Sequence, residues 1–296
     1  MAAMGRLHTL TEAASRALRW RGVPFGLAAL SLTFGAATAF TRSGECEWRP
    51  LPEISDEFHP ELSSINSVDE AVRYVRVMLG AGPHSERQIA EAAATLVRKR
   101  FFHGFAEFRP CDDWLAYLAG YVWDDLRQPV VPDHVLMFRR GACNQQSMVF
   151  QAIVARFGLD YASVGFPAMQ GPDSGHFAAA VRIGGEWQLF DADKEIPVDA
   201  VVPVTEVLAG GEILEELYPD HGRGWREAGR RGWIWFRGIN ENPAPQAALL
   251  HRTTEFMSTY GWAVFAALFL ILEAFRWRVS PPARPTTPES DQPFEA

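Results

Sequence analysis

The chain has 296 residues, 48% of them hydrophobic and 22% charged, with a formal net charge of −8. Those fractions exclude wholesale disorder and collagen-like repetition, and an acidic balance lacks the basic face that nucleic-acid binding needs. Three cysteines are too few for a disulfide scaffold and form no C-x-x-C pair, while 26 arginines against two lysines point to a GC-rich coding sequence.

Val23 to Phe40 is a run of 18 residues without a charge, close to the roughly 20 that cross a hydrocarbon core. Arg6, Arg16, Arg19 and Arg21 precede it against Glu12 alone. Two readings of this block stand, an uncleaved anchor and a signal peptide cut after Ala37-Thr38-Ala39; the 22-residue segment ahead of it is long for a signal peptide and favours the anchor. Ser67-Val-Asp-Glu70 is a capping box that opens a helix to about Leu79, closed by Gly80. Ser85-Glu-Arg-Gln88 opens a second helix towards Phe102, and Asp112 or Asp113 caps a third from Trp114 to Leu126. Val130 to Met137, with its prolines, reads as a loop, and Gly141 to Ser147 leads into a helix over Met148 to Phe157 that Gly158 stops.

Beyond Gly158 the apolar period changes from helical to two. Asp160 to Phe166 is a strand, and His176 to Ile183 and Glu186 to Asp191 form a hairpin about Gly184-Gly185. Val198 to Val202 reads as a weaker strand, Thr205 to Leu217 holds helix-like pieces, and the arginine-rich Gly222 to Trp233 reads as a solvated loop. Phe256 to Leu272 is a second charge-free run, of 17 residues, with Tyr260 and Trp262 at its entry and Phe275 and Trp277 at its exit as interfacial aromatics. Arg276 and Arg278 follow it, and Pro281 to Ala296 is a Pro- and acid-rich tail expected to be disordered. Helices first and antiparallel strands second give an α+β domain. Arginines outside both blocks put both ends in the cytoplasm, as segments 1–22 and 276–296, with spans at 23–40 and 256–275. The domain between them, 43–255, then lies across the membrane; it carries 20 basic and 31 acidic residues.

The chemistry gathers in that domain. A two-residue turn at Gly184-Gly185 sets Ala178 opposite Asp191 and His176 opposite Asp193. His176 and Asp191 are then diagonal neighbours on one face, about 7–8 Å apart at the backbone and within side-chain reach. A carboxylate there orients an imidazole and stabilises its charged form, and Asp193 is the rival for that role. Cys143 stands at the start of a helix, where backbone amides favour a thiolate. In an oxidising compartment Cys46 and Cys111 can pair, which leaves Cys143 as the odd thiol. His59, His84, His103, His134, His221 and His251 lack ligand spacing, so neither a metal nor another cofactor is expected.

Gly141-Ala-Cys143 before an amphipathic helix, then Gly175-His176-Phe, then Trp187-Gln-Leu-Phe-Asp191, resembles the transglutaminase-like superfamily of papain-related thiol enzymes over roughly residues 112–195. The resemblance implies a papain/transglutaminase-like core in a bacterial, membrane-anchored member. It implies Cys143 as nucleophile, His176 as general base and then acid, and Asp191 as orienting carboxylate, with Asp193 the alternative acid. Trp123 is the implied aromatic oxyanion donor, beside the backbone N–H of Cys143. Asn144-Gln145-Gln146-Ser147 departs from the commonest bacterial pattern, which bears on substrate preference. The implied activity is hydrolysis or acyl transfer at peptide or protein amides through a thioester, at the extracytoplasmic face of the inner membrane, with envelope proteins as possible partners. The alternative is a catalytically silent scaffold or binding module of an envelope assembly.

Overall fold

A computed structural model describes residues 23–41, 57–168, 175–194 and 201–279. The chain divides into two compact units, residues 45–255 and residues 1–44 with 256–296.

The larger unit is α+β, and its helical part follows the caps written in the sequence. Helix α1 (Val23–Thr41) belongs to the other unit. In α2 (Val68–Leu79) the Ser67 hydroxyl accepts from the Glu70 amide, and Gly80, at φ +79°, ends the helix. In α3 (Glu86–Arg100) Ser85 and Gln88 cap each other reciprocally. A two-residue strand β1 (Phe102–His103) follows. Helix α4 (Pro110–Ala119) breaks at Asp113, whose φ/ψ of −149°/95° is not helical. The Asp113 carboxylate accepts from the amides of Leu115 and Ala116, so Asp113 is the cap chosen between the two aspartates. The expected run to Leu126 does not form: the helix stops at Gly120, and a 3₁₀ turn over Asp124–Arg127 takes over. Val130 to Met137 is not all loop either. Helix α5 (Pro132–Leu136) starts on Pro132, whose missing N–H costs nothing at a first helical position. Strand β2 (Arg140–Gly141) pairs in parallel with β1 and leads into α6 (Cys143–Arg156), which begins at the cysteine, with the Asn144–Ser147 lead-in already helical.

Strands β3 (Tyr161–Phe166), β4 (His176–Ile183), β5 (Glu186–Phe190) and, later in the chain, β6 (Trp235–Arg237) form one antiparallel sheet in the order β5-β4-β3-β6. Gly184 and Gly185 take φ +60° and +93°, the left-handed pair that a tight hairpin turn needs. Ile183 therefore pairs with Glu186 and Ala179 with Phe190, the expected register. Both faces of the sheet are buried. Ala179, Val181 and Phe190 pack on α2, α3, α5 and α6, while Ala178, Ala180 and Leu189 pack on α7 (Val204–Leu208), α8 (Ile213–Leu217) and α9 (Gly222–Arg230). Alanines at Ala178, Ala179 and Ala180 let both helical layers approach the central strand. The weak strand expected over Val198–Val202 lies partly outside the described residues; its visible end joins β5 through one bridge, Gln188 to Pro203.

The arginine-rich stretch expected as a loop is helix α9, and β6 was not foreseen at all. Gly222 and Gly229 let α9 touch backbone: a Cβ on Gly222 would lie 2.0 Å from the Leu214 carbonyl, and one on Gly229 2.6 Å from Gly210. Those contacts turn Trp225 into the core with 1% exposure.

In the smaller unit, α1 and the part of α10 (Pro245–Val279) beyond Phe256 are long and apolar enough to cross a membrane. Ser31 donates to the Trp262 carbonyl at 2.8 Å and Thr38 to the Ser258 carbonyl at 2.7 Å, and Phe34 meets Phe265 edge-on. Contacts in opposite sequence order make the two helices antiparallel, and Gly261 gives Phe34 room at the crossing. Phe25, Leu32, Phe40, Leu270 and Ile271 remain exposed along them.

Candidate active site

Cys143 is the first residue of α6, where the leading amides have no acceptor within the helix. It is a free, half-buried cysteine, whereas Cys111 is disulfide-bonded. The expected partner, Cys46, lies outside the described residues. The start of α6 is fixed by its glutamines. Gln145 is fully buried; its Oε1 accepts from the Ala106 and Ala142 amides, and its Nε2 donates to the Ala106 and Pro129 carbonyls. Gln146 donates to the Gly141 carbonyl and to Asp193, and Ser147 donates to the Phe177 carbonyl on β4. These residues, read from sequence as bearing on substrate preference, are buried ties that lock the cysteine helix to its surroundings.

His176 opens β4 on the face shared by Ala178 and Ala180 and is buried. Its Nε2–H donates to Asp191 Oδ2 at 2.5 Å, and Cys143 lies close enough to the same ring to contribute to its raised pKa. With Nε2 occupied, Nδ1 is the nitrogen left for the sulfur. Asp191 is thus the carboxylate beyond the ring from the sulfur. It sits just after β5 and is saturated with donors: Oδ2 also accepts from the Tyr218 hydroxyl at 2.8 Å, and Oδ1 accepts from the amides of Asp193 and Lys194 at 2.9 and 3.0 Å. Asp193, the rival acid, belongs to another histidine: its Oδ1 meets His103 Nδ1 at 2.6 Å.

The charges follow from this arrangement. Burial alone would lower the imidazole pKa, but the Asp191 charge and hydrogen bond, with a smaller contribution from Cys143, raise it to about 10. Burial would raise the Asp191 pKa, but the His176 charge and the bonds from His176, Lys194 and Asp193 hold it below the ordinary carboxylate range. Burial, and then the Asp191 charge, push the Tyr218 hydroxyl well above its usual value, so it stays a donor. The site therefore holds a buried imidazolium–carboxylate pair beside the Cys143 sulfur at a helix N-terminus.

Three aromatic rings enclose that pair. Trp225 stacks on His176 with centroids 5.5 Å apart and planes 16° from parallel, and Phe166 and Tyr218 lie 5.8 and 5.7 Å from the same ring. The Trp225 indole N–H is anchored on the Pro167 carbonyl. Sequence reasoning missed both Tyr218 and Trp225. The Gly222-Trp225-Gly229 spacing on one helix was a signal for Trp225; Tyr218 left none. Trp123 is not gathered into this cluster. It is 64% exposed, caps the 3₁₀ turn after α4 rather than lying on a helix, and gives its indole N–H to Asp125 at 3.1 Å. The Cys143 backbone N–H, the other expected donor, is one of the leading amides of α6 that have no acceptor within the helix.

No protein-family model matches the chain, and no curated protein matches it. A solved structure from Cytophaga hutchinsonii, provisionally described as a cysteine protease, is similar to it with a TM-score of 0.31 and 15% identity, over 54% of this chain and 50% of that one. The chain thus spans about half the length of the solved structure it matches.

Proposed function

We propose that the larger unit is a transglutaminase-like thiol enzyme that hydrolyses or transfers the acyl group of peptide or protein amides. The observation that carries this reading is the convergence of Cys143, His176 and Asp191 from a helix start, a strand start and a strand end. In the proposed reaction the Cys143 sulfur reacts as the thiolate, its proton held on His176 Nδ1; it attacks the amide carbonyl carbon, and the oxygen takes up charge facing the Cys143 N–H. As the C–N bond breaks, His176 Nδ1 passes its proton to the departing amine, leaving a thioester. Water or an amine then adds to the thioester carbonyl and loses its proton to His176. The C–S bond breaks, which frees the acid or the new amide and restores the thiolate beside protonated His176. Asp191 stays ionised and holds the ring, and Tyr218 holds Asp191.

The antiparallel helix pair and its exposed apolar faces support anchoring in a bacterial cytoplasmic membrane by spans at 23–40 and 256–275. An antiparallel pair leaves both outer segments on one side, and the flanking arginines favour the cytoplasm for them, with the domain at 43–255 outside. The deciding experiment is thiol-directed activity labelling of the full chain in detergent. Labelling of the wild type and none of Cys143→Ala is expected. Equal labelling of both would overturn the assignment and leave the silent binding module as the reading.

A further inference from the structure

A second histidine–aspartate pair lies beside Cys143. The parallel ladder of β1 and β2 sets His103 across from Gly141, two residues before the cysteine. His103 Nδ1 is held by Asp193 Oδ1 at 2.6 Å, and the same oxygen accepts from Gln146 Nε2 at 2.7 Å on the first turn of α6. Asp193 is buried, whereas 64% of the His103 side chain is exposed. The carboxylate is therefore the fixed base of the pair and the imidazole its outward end, with Nε2 a donor in the protonated ring. The hydrogen bond to Asp193 raises the His103 pKa against burial and against the charges of His176 and Lys194, which are close enough to oppose it.

Two further cations stand near the ring. Arg140, on β2, is exposed, and its Cδ lies 3.9 Å from where a Cβ on Gly104 would be, so its stem runs beside the residue after His103. Lys194 follows Asp193 directly, its amide held by Asp191. Neither Arg140 nor Lys194 has an acidic partner among the described residues. Three basic side chains thus cluster on the strand pair and turn that flank the first turn of α6, in a segment (43–255) where 31 acids outnumber 20 bases.

We propose that His103, Arg140 and Lys194 form an anion-binding subsite at the lip of the Cys143 site, which takes a carboxylate carried by the substrate beside the attacked carbonyl. Acidic peptides are then the preferred substrate class. The carboxylate accepts from His103 Nε2–H and is drawn by the Arg140 and Lys194 charges. This inference rests on Cys143 being the reacting nucleophile, and its test separates the two.

Iodoacetate and iodoacetamide alkylate a thiol by the same displacement of iodide and differ by one negative charge. Their rates at Cys143, followed by mass spectrometry on the full chain in detergent, give a ratio that reports the local field. His103→Gln, Arg140→Gln and Lys194→Gln are each expected to lower the iodoacetate-to-iodoacetamide ratio about two- to threefold, the size of one exposed charge at this range. Salt at roughly 0.5 M should shrink the difference between wild type and variants. A ratio unchanged in all three variants would overturn the subsite. The His176→Ala variant reads the other question: an unchanged iodoacetamide rate would overturn the nucleophile assignment, while the charge ratio still reports on the subsite.

Discussion

Asp191 and His176 are both buried, so each hydrogen bond in this group is worth more than one at the surface. Tyr218→Phe removes one of the two bonds to Asp191 Oδ2 while keeping the ring that packs on Phe166 and Trp225. A buried hydrogen bond to a charged group contributes about 1.5–3 kcal/mol, so Tyr218→Phe is expected to slow alkylation of Cys143 roughly tenfold without loss of folded protein by circular dichroism. The pair also ties stability to pH. His176 binds a proton in the folded protein that the unfolded chain releases above 6.5, so its contribution is complete below pH 6.5 and declines towards about 10. Asp191 acts in the opposite sense, complete above its ordinary value of 3.8 and lost as the pH falls further. Thermal unfolding midpoints should therefore show a plateau between these values and a fall on the alkaline side. His176→Gln should flatten the alkaline limb; an identical limb in that variant would contradict the coupling.

At the scale of elements, the site depends on two helices held by unusual anchors. Helix α3 ends in Arg100, which is 1% exposed and donates to the carbonyls of Ile65, Leu136, Phe138 and Ser63. Burial, with a lesser push from Arg139, lowers its pKa to about 10, and no carboxylate is among these contacts. Removing the guanidinium strands several buried carbonyls, so Arg100→Ala is expected to cost about 3–5 kcal/mol in denaturant unfolding of the domain. Arg100→Lys should recover little of this, because an ammonium cannot span a fork of carbonyls. Helix α9 depends instead on the absence of side chains: Gly222 and Gly229 bring it against the 210–214 backbone, and only then does Trp225 reach His176. Its rich arginine content reads as a solvated loop because periodicity weighs charge, and three glycines in one short helix ordinarily break it.

For the whole molecule, the apolar helix pair sets the environment proposed for the domain. Membranes from cells making the full chain, washed with alkaline carbonate, should retain it in the pellet, and reporter fusions after residue 43 and at the carboxyl end should report opposite sides. Release of the full chain into the carbonate supernatant would overturn the anchor. The antiparallel contacts of Ser31 with Trp262 and Thr38 with Ser258 are of the kind that hold two spans together where no hydrophobic effect acts between them.

Much of this was written locally. Ser67 and Ser85 as caps, the Gly184-Gly185 turn, the alternation along β4 and the charge-free blocks each act over a few residues, so sequence alone determined the α+β order, the hairpin register and the candidate Cys143, His176 and Asp191. What only the tertiary structure decided came from segments far apart in the chain. Asp193 went to His103 rather than His176 because a short parallel ladder aligned β1 with the cysteine loop. Trp123 was left outside because α4 ends at Gly120. Tyr218 and Trp225 closed over the histidine because the glycines of α9 let its backbone approach α8. Close packing between distant elements carries no period and no fixed spacing, and so leaves no mark that a reading of neighbours can find.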